Sequence, residues 1–313
     1  MSPASTILDL IGNTPMVELT KFDTGPCRLF MKLEGWNPSG SIKDRTAKSM
    51  IDAAERDGRL KPGGTIIEAT AGNTGLGLSL IAAIKGYKVI LVVPDKFSEM
   101  KITHCEGLGA HVIRTRADVS AGHPEYYVDM AKRIAAETGA FHTNQFDNPA
   151  NVHVHETTTG PEIWEQMDKK IDAVVCGVGS GGTLSGLGKF FAKVSPETEL
   201  ILSDPKGALL AAKVNGEKAT PHAFRVEGIG QECAPGNLDL DIVDKGYVID
   251  DEESFSTVRE LLKREGILAG TPTGTVLAGA LRYCREQTKP KRVVTFMSDR
   301  GDKYLPKIYG DQK

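Results

Sequence analysis

What most constrains the fold is an alternation along the chain. Short runs rich in apolar and β-branched residues are each followed by a longer amphipathic stretch. Arg28–Leu33 precedes Asp44–Arg59, Thr65–Thr70 precedes Leu76–Lys85, and Lys88–Pro94 precedes Ser98–Leu108. The pattern runs on through His111–Thr115, Pro124–Thr138, Ile171–Gly177, Leu184–Val194, Glu199–Ser203, Glu253–Gly266, Val276–Gln287 and Arg292–Met297. Strand–helix alternation predicts parallel sheets with helices on both faces, a doubly wound α/β fold. Pro, Gly and Asn mark the joins, as at Asn37–Gly40 and Lys61–Gly64, without any long Pro/Gly/Ser linker. A length of 313 residues leaves room for one large unit or two modest lobes. With no tether, a second lobe must be folded into the path of the first.

Composition narrows the function. A formal net charge of −3 gives no global attraction to nucleic acid or to an anionic membrane, so no nucleic-acid and no membrane partner is expected. There is no run of 18 consecutive apolar residues, and the first residues lack a basic start followed by an apolar stretch. The expectation is a soluble, cytoplasmic chain without a signal peptide. Five cysteines, Cys27, Cys105, Cys176, Cys233 and Cys284, are scattered without a C-x-x-C pair and read as reduced, buried thiols. His153 and His155 are two apart, His104 and His142 are isolated, and no metal-ligand grouping or G-x-S-x-G elbow occurs. No metal is expected.

In α/β sheets ligands sit beyond the carboxyl ends of the strands, and four turns there are unusual. The segment Gly35–Arg45 carries Lys43 to the opening of a helix, where the macrodipole lowers an ammonium pKa. A neutral amine placed there can form a Schiff base, although a solvated lysine or a phosphate contact also accounts for the segment. The turn Thr70–Gly75 combines small residues with the directional donors of Thr70, Asn73 and Thr74, suiting a carboxylate or phenolate, or a plain helix cap. The glycine-rich run Gly177–Thr183 reads as a phosphate cradle, with hydroxyls at Ser180 and Thr183. Gly177, Gly179 and Gly182 also meet G-x-G-x-x-G, with Asp204 following, so a dinucleotide site stays open. The last, Ala269–Thr275, reads as a hydroxyl-rich turn between two helices.

In this order, the four turns resemble those of the fold-type II pyridoxal-phosphate enzymes of the cysteine synthase and cystathionine β-synthase family. The resemblance starts at Ile11–Met16, passes through Pro38–Arg45, and closes near Gly301–Leu305. It implies two doubly wound α/β lobes like those of the tryptophan synthase β chain. A large cofactor-binding domain would span residues 1–42 and 149–313, with a small mobile domain, residues 43–148, closing on substrate. It implies pyridoxal 5′-phosphate held covalently by Lys43, with Asn73 on its ring oxygen and the turn Gly179, Ser180, Gly181, Gly182 and Thr183 on its phosphate. Thr70, Ala71, Gly72, Asn73 and Thr74, with Gln145, line up with residues that grip the substrate carboxylate. A homodimer is also implied.

Two positions depart from the family. Pro272 stands where relatives commonly place a serine facing the pyridine nitrogen, and proline cannot donate; Thr271 or Thr273 is expected to substitute. Ala71 stands where many relatives have serine. Val226–Gly230 resembles the cystathionine β-synthase version, with Glu227 where plain cysteine synthases usually have glutamine, and places Gly228 beside the substrate. His123–Tyr127 is similar to bacterial-type members of that branch, and the start at Met1 and end at Lys313 suggest a core without the haem-binding extension or the regulatory tandem domain. The implied reaction is β-replacement: serine or O-acetylserine plus homocysteine gives cystathionine through an aminoacrylate, with Lys43 moving the α-proton and Glu227 binding the incoming amine or assisting the leaving group. An O-acetylserine-dependent cysteine synthase and a non-catalytic member of the fold stay open, as do the physiological donor and thiol.

Overall fold

A computed structural model of the chain describes residues 3–70, 72–95, 99–120 and 122–310. Strands β1 (Met16–Glu18), β2 (Arg28–Leu33), β3 (Thr65–Ala69), β4 (Lys88–Pro94), β5 (His111–Thr115), β6 (Phe141–His142), β7 (Ala173–Cys176), β8 (Glu199–Pro205), β9 (Lys245–Ile249) and β10 (Arg292–Met297) form two sheets. One has the order β1-β2-β10-β7-β8-β9 and the other β5-β4-β3-β6. Only β1 runs antiparallel to its neighbour among these pairs. The smaller sheet is built wholly from residues 65–142, inside the path of the larger one. The mixed α/β architecture with parallel sheets is thus as expected.

Helices α1 (Lys43–Arg56), α2 (Asn73–Lys85), α3 (Glu99–Gly107), α4 (Tyr127–Thr138), α5 (Pro149–Val154), α6 (Gly160–Gln166), α7 (Gly182–Val194), α8 (Leu210–Val214), α9 (Asp251–Glu265) and α10 (Thr271–Arg285) cover the sheets. A one-turn π-helix, His155–Thr159, joins α5 to α6. Helix α9 shows how local chemistry sets the ends. The Asp250 side chain accepts the Glu253 N–H, three acids fill the first turn, Lys263 and Arg264 close the last, and Gly266 ends it at φ +71°.

Strand β7 is buried along its whole length, as a central parallel strand must be. Its alternate residues enter different cores. Ala173 and Val175 pack with Leu29, Met31 and Ile201 under α9 and α10, whereas Val174 and Cys176 pack with Leu202, Phe296 and Phe191 of α7. A third core joins α1, through Ala47, Met50 and Ile51, to Ile66, Leu91 and Val93 of the smaller sheet.

Three sequence expectations need correcting. Ala269–Thr275 is not a free turn, because α10 begins at Thr271, with Gly270 extended before it. Proline is at home there, since a first-turn N–H has no partner within the helix. The edge strands β1 and β9 and the short β6 escaped the apolar-run reading. Finally, Cys233 is exposed, unlike the four buried thiols. Among the described residues no helix is long and apolar enough to cross a membrane.

Candidate active site

Residues just beyond the carboxyl ends of β3, β6, β7 and β10 line one cavity of about 830 Å³ between the two sheets' helical layers. It gathers Lys43, Thr70, Gly72, Asn73, Thr74, Gln145, Gly179, Ser180, Gly181, Thr183, Glu227 and Gly228. Gly182, Thr271 and Thr273 do not line it. Ala71 lies outside the described residues.

The loop before α1 is fixed at several points. Ser39 donates its N–H (2.6 Å) and its hydroxyl to Asp44, and Lys303 Nζ donates to Ser39 O (2.9 Å). Burial pushes the Asp44 carboxyl up to about 6. Arg45, fully buried, donates to Glu34 (2.8 Å) and Glu162 (2.7 Å), tying the helix to the larger sheet's layer. Such a network specifies a position, because stranding any one of its charges is costly. Lys43 therefore opens α1 with its side chain partly open to the cavity. Burial drives its amine below the ordinary lysine value, against the opposing pull of Asp299. Among the described residues its Nζ makes no hydrogen bond, which leaves a readily deprotonated amine free to react.

The turn after β7 is built from backbone. A Cβ on Gly179 would lie 2.3 Å from Gly228 O, and Gly181 caps α7 at φ +83° with Leu238 against it. Gly182 is packed onto Asn151, where a Cβ would meet Oδ1 at 2.1 Å; that packing is why it stays out of the cavity wall. Ser180 Oγ accepts from Asn151 Nδ2 (2.8 Å), so its O–H remains free to donate outward. Thr183 sits 3.3 Å from His155, which burial, with Arg45 and Lys43 nearby, keeps neutral. Free hydroxyls and N–H groups at the N-terminus of a 13-residue helix make an anion cradle. Asp204 does not complete a dinucleotide site: it is fully buried and accepts the N–H groups of Leu210 and Ala211 at the start of α8.

The turn after β3 works through side chains. Thr74 donates to Gln145 Oε1 (2.6 Å), and Asn73 at the start of α2 donates to Asp299 Oδ2 (2.8 Å) while accepting from Lys303 Nζ (3.0 Å). One Asn73 N–H and the Gln145 amide nitrogen are left over for a ligand. Behind them Glu68, at the end of β3, accepts from Thr143 and from Gln145 N.

On the facing wall Glu227 is clamped between Lys101 Nζ (2.7 Å) and Lys307 Nζ (2.8 Å). Burial alone would raise this carboxyl, but the two ammonium groups outweigh it and hold it below its ordinary value. Thr271 lies behind, its hydroxyl accepting Glu227 N–H (3.0 Å), and Thr273 accepts Ser298 N–H (3.2 Å). Neither Thr271 nor Thr273, expected to substitute for the missing serine, lines the cavity, whereas Pro272 does.

A family model described as "pyridoxal-phosphate dependent enzyme" matches residues 7–299. The chain belongs to this family. It is 39% identical over 309 residues to cystathionine beta-synthase of Apis mellifera, covering 97% of the chain and 61% of that protein. It is 38% identical over 305 residues to cysteine synthase of Staphylococcus aureus, covering 97% of the chain and 96% of that protein. The chain spans 55–63% of the length of the cystathionine beta-synthases it matches. A hydrogen sulfide-producing enzyme of Fusobacterium nucleatum superposes with TM-score 0.90 at 34% identity, covering 97% of this chain and all of that one.

The cavity fits the family's cofactor. Its lining offers an amine held below its ordinary pKa that would suit an aldehyde, a backbone turn that would suit a phosphate, and an amide that would suit a ring oxygen. Sequence reading missed the groups that hold these donors. Asp299 and Lys303 orient Asn73, Tyr304 donates to Asp299 (2.6 Å), and Lys101 donates to Tyr304 OH (3.0 Å) with its ammonium 4.3 Å from the ring centroid. The only sequence signal for Lys303 and Tyr304 was the segment Gly301–Leu305, where the family resemblance closes, and it gave them no role.

Proposed function

We propose that the chain carries out a β-replacement in sulfur amino-acid synthesis, joining serine or O-acetylserine to the thiol of homocysteine. The observation that carries the reading is Glu227. An ionised carboxylate between two ammonium groups on the cavity wall suits a thiol that is itself a zwitterion, since its ammonium can meet Glu227 while its carboxylate meets Lys101 or Lys307. Sulfide would need none of these charges. The lowered pKa also favours binding over acid catalysis: a carboxylate held ionised cannot give a proton to a departing hydroxide.

In this reading the amino-acid donor lies with its carboxylate on Thr70, Gly72, Thr74 and the free amide of Gln145, with Gly228 alongside. Lys43 holds the cofactor and, once released from it, removes and later returns the proton on the donor's α-carbon. Asn73, Gly179, Ser180, Gly181 and Thr183 contact the cofactor directly, with Gly182, Thr271 and Thr273 acting behind them. Pyridoxal phosphate, when bound, supplies the electron sink that lets the β-substituent leave. Residues 43–148 are the lobe proposed to close over the donor, with Lys101 of α3 reaching Glu227 across the gap, and the active species is proposed to be a cytoplasmic homodimer.

The test compares kcat/KM for serine plus homocysteine with that for O-acetylserine plus sulfide, in the parent and in Glu227→Gln. The first pair should lose about tenfold, the scale of a lost charge-assisted contact, and the second should hold. Equal losses would remove Glu227 from substrate choice. A second reading, an O-acetylserine-dependent cysteine synthase, is favoured by the Staphylococcus aureus relative that the chain covers almost entirely. A parent enzyme that prefers the sulfide pair would select it.

A further inference from the structure

The wall formed by the start of α10 and the end of β10 holds the unanswered part of the site. With Lys43, Asn73 and Gly179–Thr183 taking the aldehyde, ring oxygen and phosphate, the orientation proposed here turns the ring nitrogen towards the start of α10 and the end of β10. Pro272 lines the cavity there and has no N–H to give. The two neighbouring threonines, Thr271 and Thr273, do not line the cavity; their hydroxyls sit behind its wall, accepting Glu227 N–H and Ser298 N–H. Cys176 also lines the cavity, but a thiol is a weak donor.

One hydroxyl remains. Ser298 follows directly on β10, lines the cavity, and is held on both sides by its backbone. Its N–H goes to Thr273 Oγ1 (3.2 Å), beside Pro272, and its carbonyl accepts Ile42 N–H (3.0 Å), beside Lys43. Among the described residues its Oγ makes no hydrogen bond, so it is a pre-placed donor without a partner. We infer that Ser298 donates to the pyridine nitrogen of the cofactor, taking over from β10 the contact that Pro272 cannot make from α10.

The chemistry of that contact is specific. A serine hydroxyl is far too weak an acid to protonate a pyridine, so the nitrogen stays neutral and hydrogen-bonded. The N-terminus of the 15-residue helix α10 sits on the same wall, and its positive end also opposes protonation. A neutral ring is a shallow electron sink, sufficient to expel a β-substituent and poor at stabilising a longer-lived carbanion. The inference rests on the cofactor lying in this cavity in the orientation proposed above.

The test uses the apoprotein reconstituted with pyridoxal phosphate labelled with ¹⁵N in the ring. In Ser298→Ala the ring ¹⁵N resonance should move towards that of a free pyridine, and cofactor affinity, read by absorbance titration, should fall about tenfold, as for one lost hydrogen bond to a buried acceptor. Ser298→Thr should retain the parent resonance. Pro272→Ser in the Ser298→Ala background should restore part of the affinity by returning a hydroxyl to α10. A resonance and affinity unchanged in Ser298→Ala would overturn the inference. A parent protein that takes up the cofactor while Ser298→Ala behaves identically refutes the contact alone, whereas a parent that takes up none refutes the cofactor orientation with it.

Discussion

Two turns of this molecule share a plan and differ in material. Thr70–Thr74 and Gly177–Gly182 each leave a central parallel strand and open a 13-residue helix, so both present N–H groups and a positive helix end to the same cavity. The second is made of glycines that the fold cannot exchange: Gly179 lies against Gly228 O, Gly181 against Leu238, and Gly182 against Asn151. The first contains Gly72, which among the described residues has no packed atom within 4 Å of where a Cβ would stand, and presents the side chains of Thr70, Asn73 and Thr74. A cradle made of backbone binds one invariant group. A cradle made of side chains can be retuned from substrate to substrate, which fits the proposal that Thr70 and Thr74 meet the changing ligand while the second turn meets the fixed one.

The largest effect follows from the rigid turn. In Gly179→Ala the new methyl would sit 2.3 Å from a backbone oxygen, so the Val226–Gly230 loop or the cradle itself must move. Overpacking of this kind should weaken pyridoxal phosphate binding about a hundredfold, read by titrating the apoprotein at constant fold as judged by circular dichroism. Unchanged affinity would mean that the phosphate is held elsewhere.

A second, smaller effect separates the turns by what lies behind them. Glu68 anchors the first turn's partner Gln145, and burial pushes its carboxyl up from 4.5 to about 7, against the hydrogen bonds from Thr143 and from the Gln145 and Ala69 N–H groups. A folded-state value above the unfolded one means that the folded protein holds this proton more tightly. Stability from this group is complete below about pH 4 and declines as pH rises towards 7. The decline should be about 3 kcal/mol, and Glu68→Gln should flatten it in unfolding curves taken between pH 5 and 8. A variant with the parent's pH dependence would show that Glu68 does not titrate in this range.

The contrast also explains what the sequence revealed. Backbone cradles are written locally, as glycines at fixed spacing after an apolar run, and Gly177–Thr183 stood out in the sequence for that reason. So did α9, with acids at one end and bases at the other. Side-chain sites are completed from afar. Asn73 depends on Asp299 and Lys303, more than 220 residues away, and Glu227 depends on Lys101 and Lys307. A lysine in Gly301–Leu305 has the same composition whether it points to solvent or is buried beside an amide, and only the tertiary path decides between them. The same limit hid Ser298, whose proposed role is set by the neighbours of its backbone, and it left Thr271 and Thr273 looking available although neither lines the cavity.

The smallest predicted effect is the sharpest check on the contrast. Gly72 lines the cavity at φ −123°, ψ −152°, an extended conformation that alanine also adopts, and a Cβ there meets open space among the described residues. Gly72→Ala should therefore fold normally and bind pyridoxal phosphate within about twofold of the parent, since no cofactor contact or packing is lost. What it should change is the room left for the amino-acid donor, seen as a rise in the donor's KM of about threefold with the thiol's KM unmoved, roughly the worth of one misplaced methyl. If Gly72→Ala instead sheds the cofactor as Gly179→Ala is expected to, the first turn is as much a part of the phosphate-side scaffold as the second. The division between a fixed backbone cradle and an adjustable side-chain one would then be wrong.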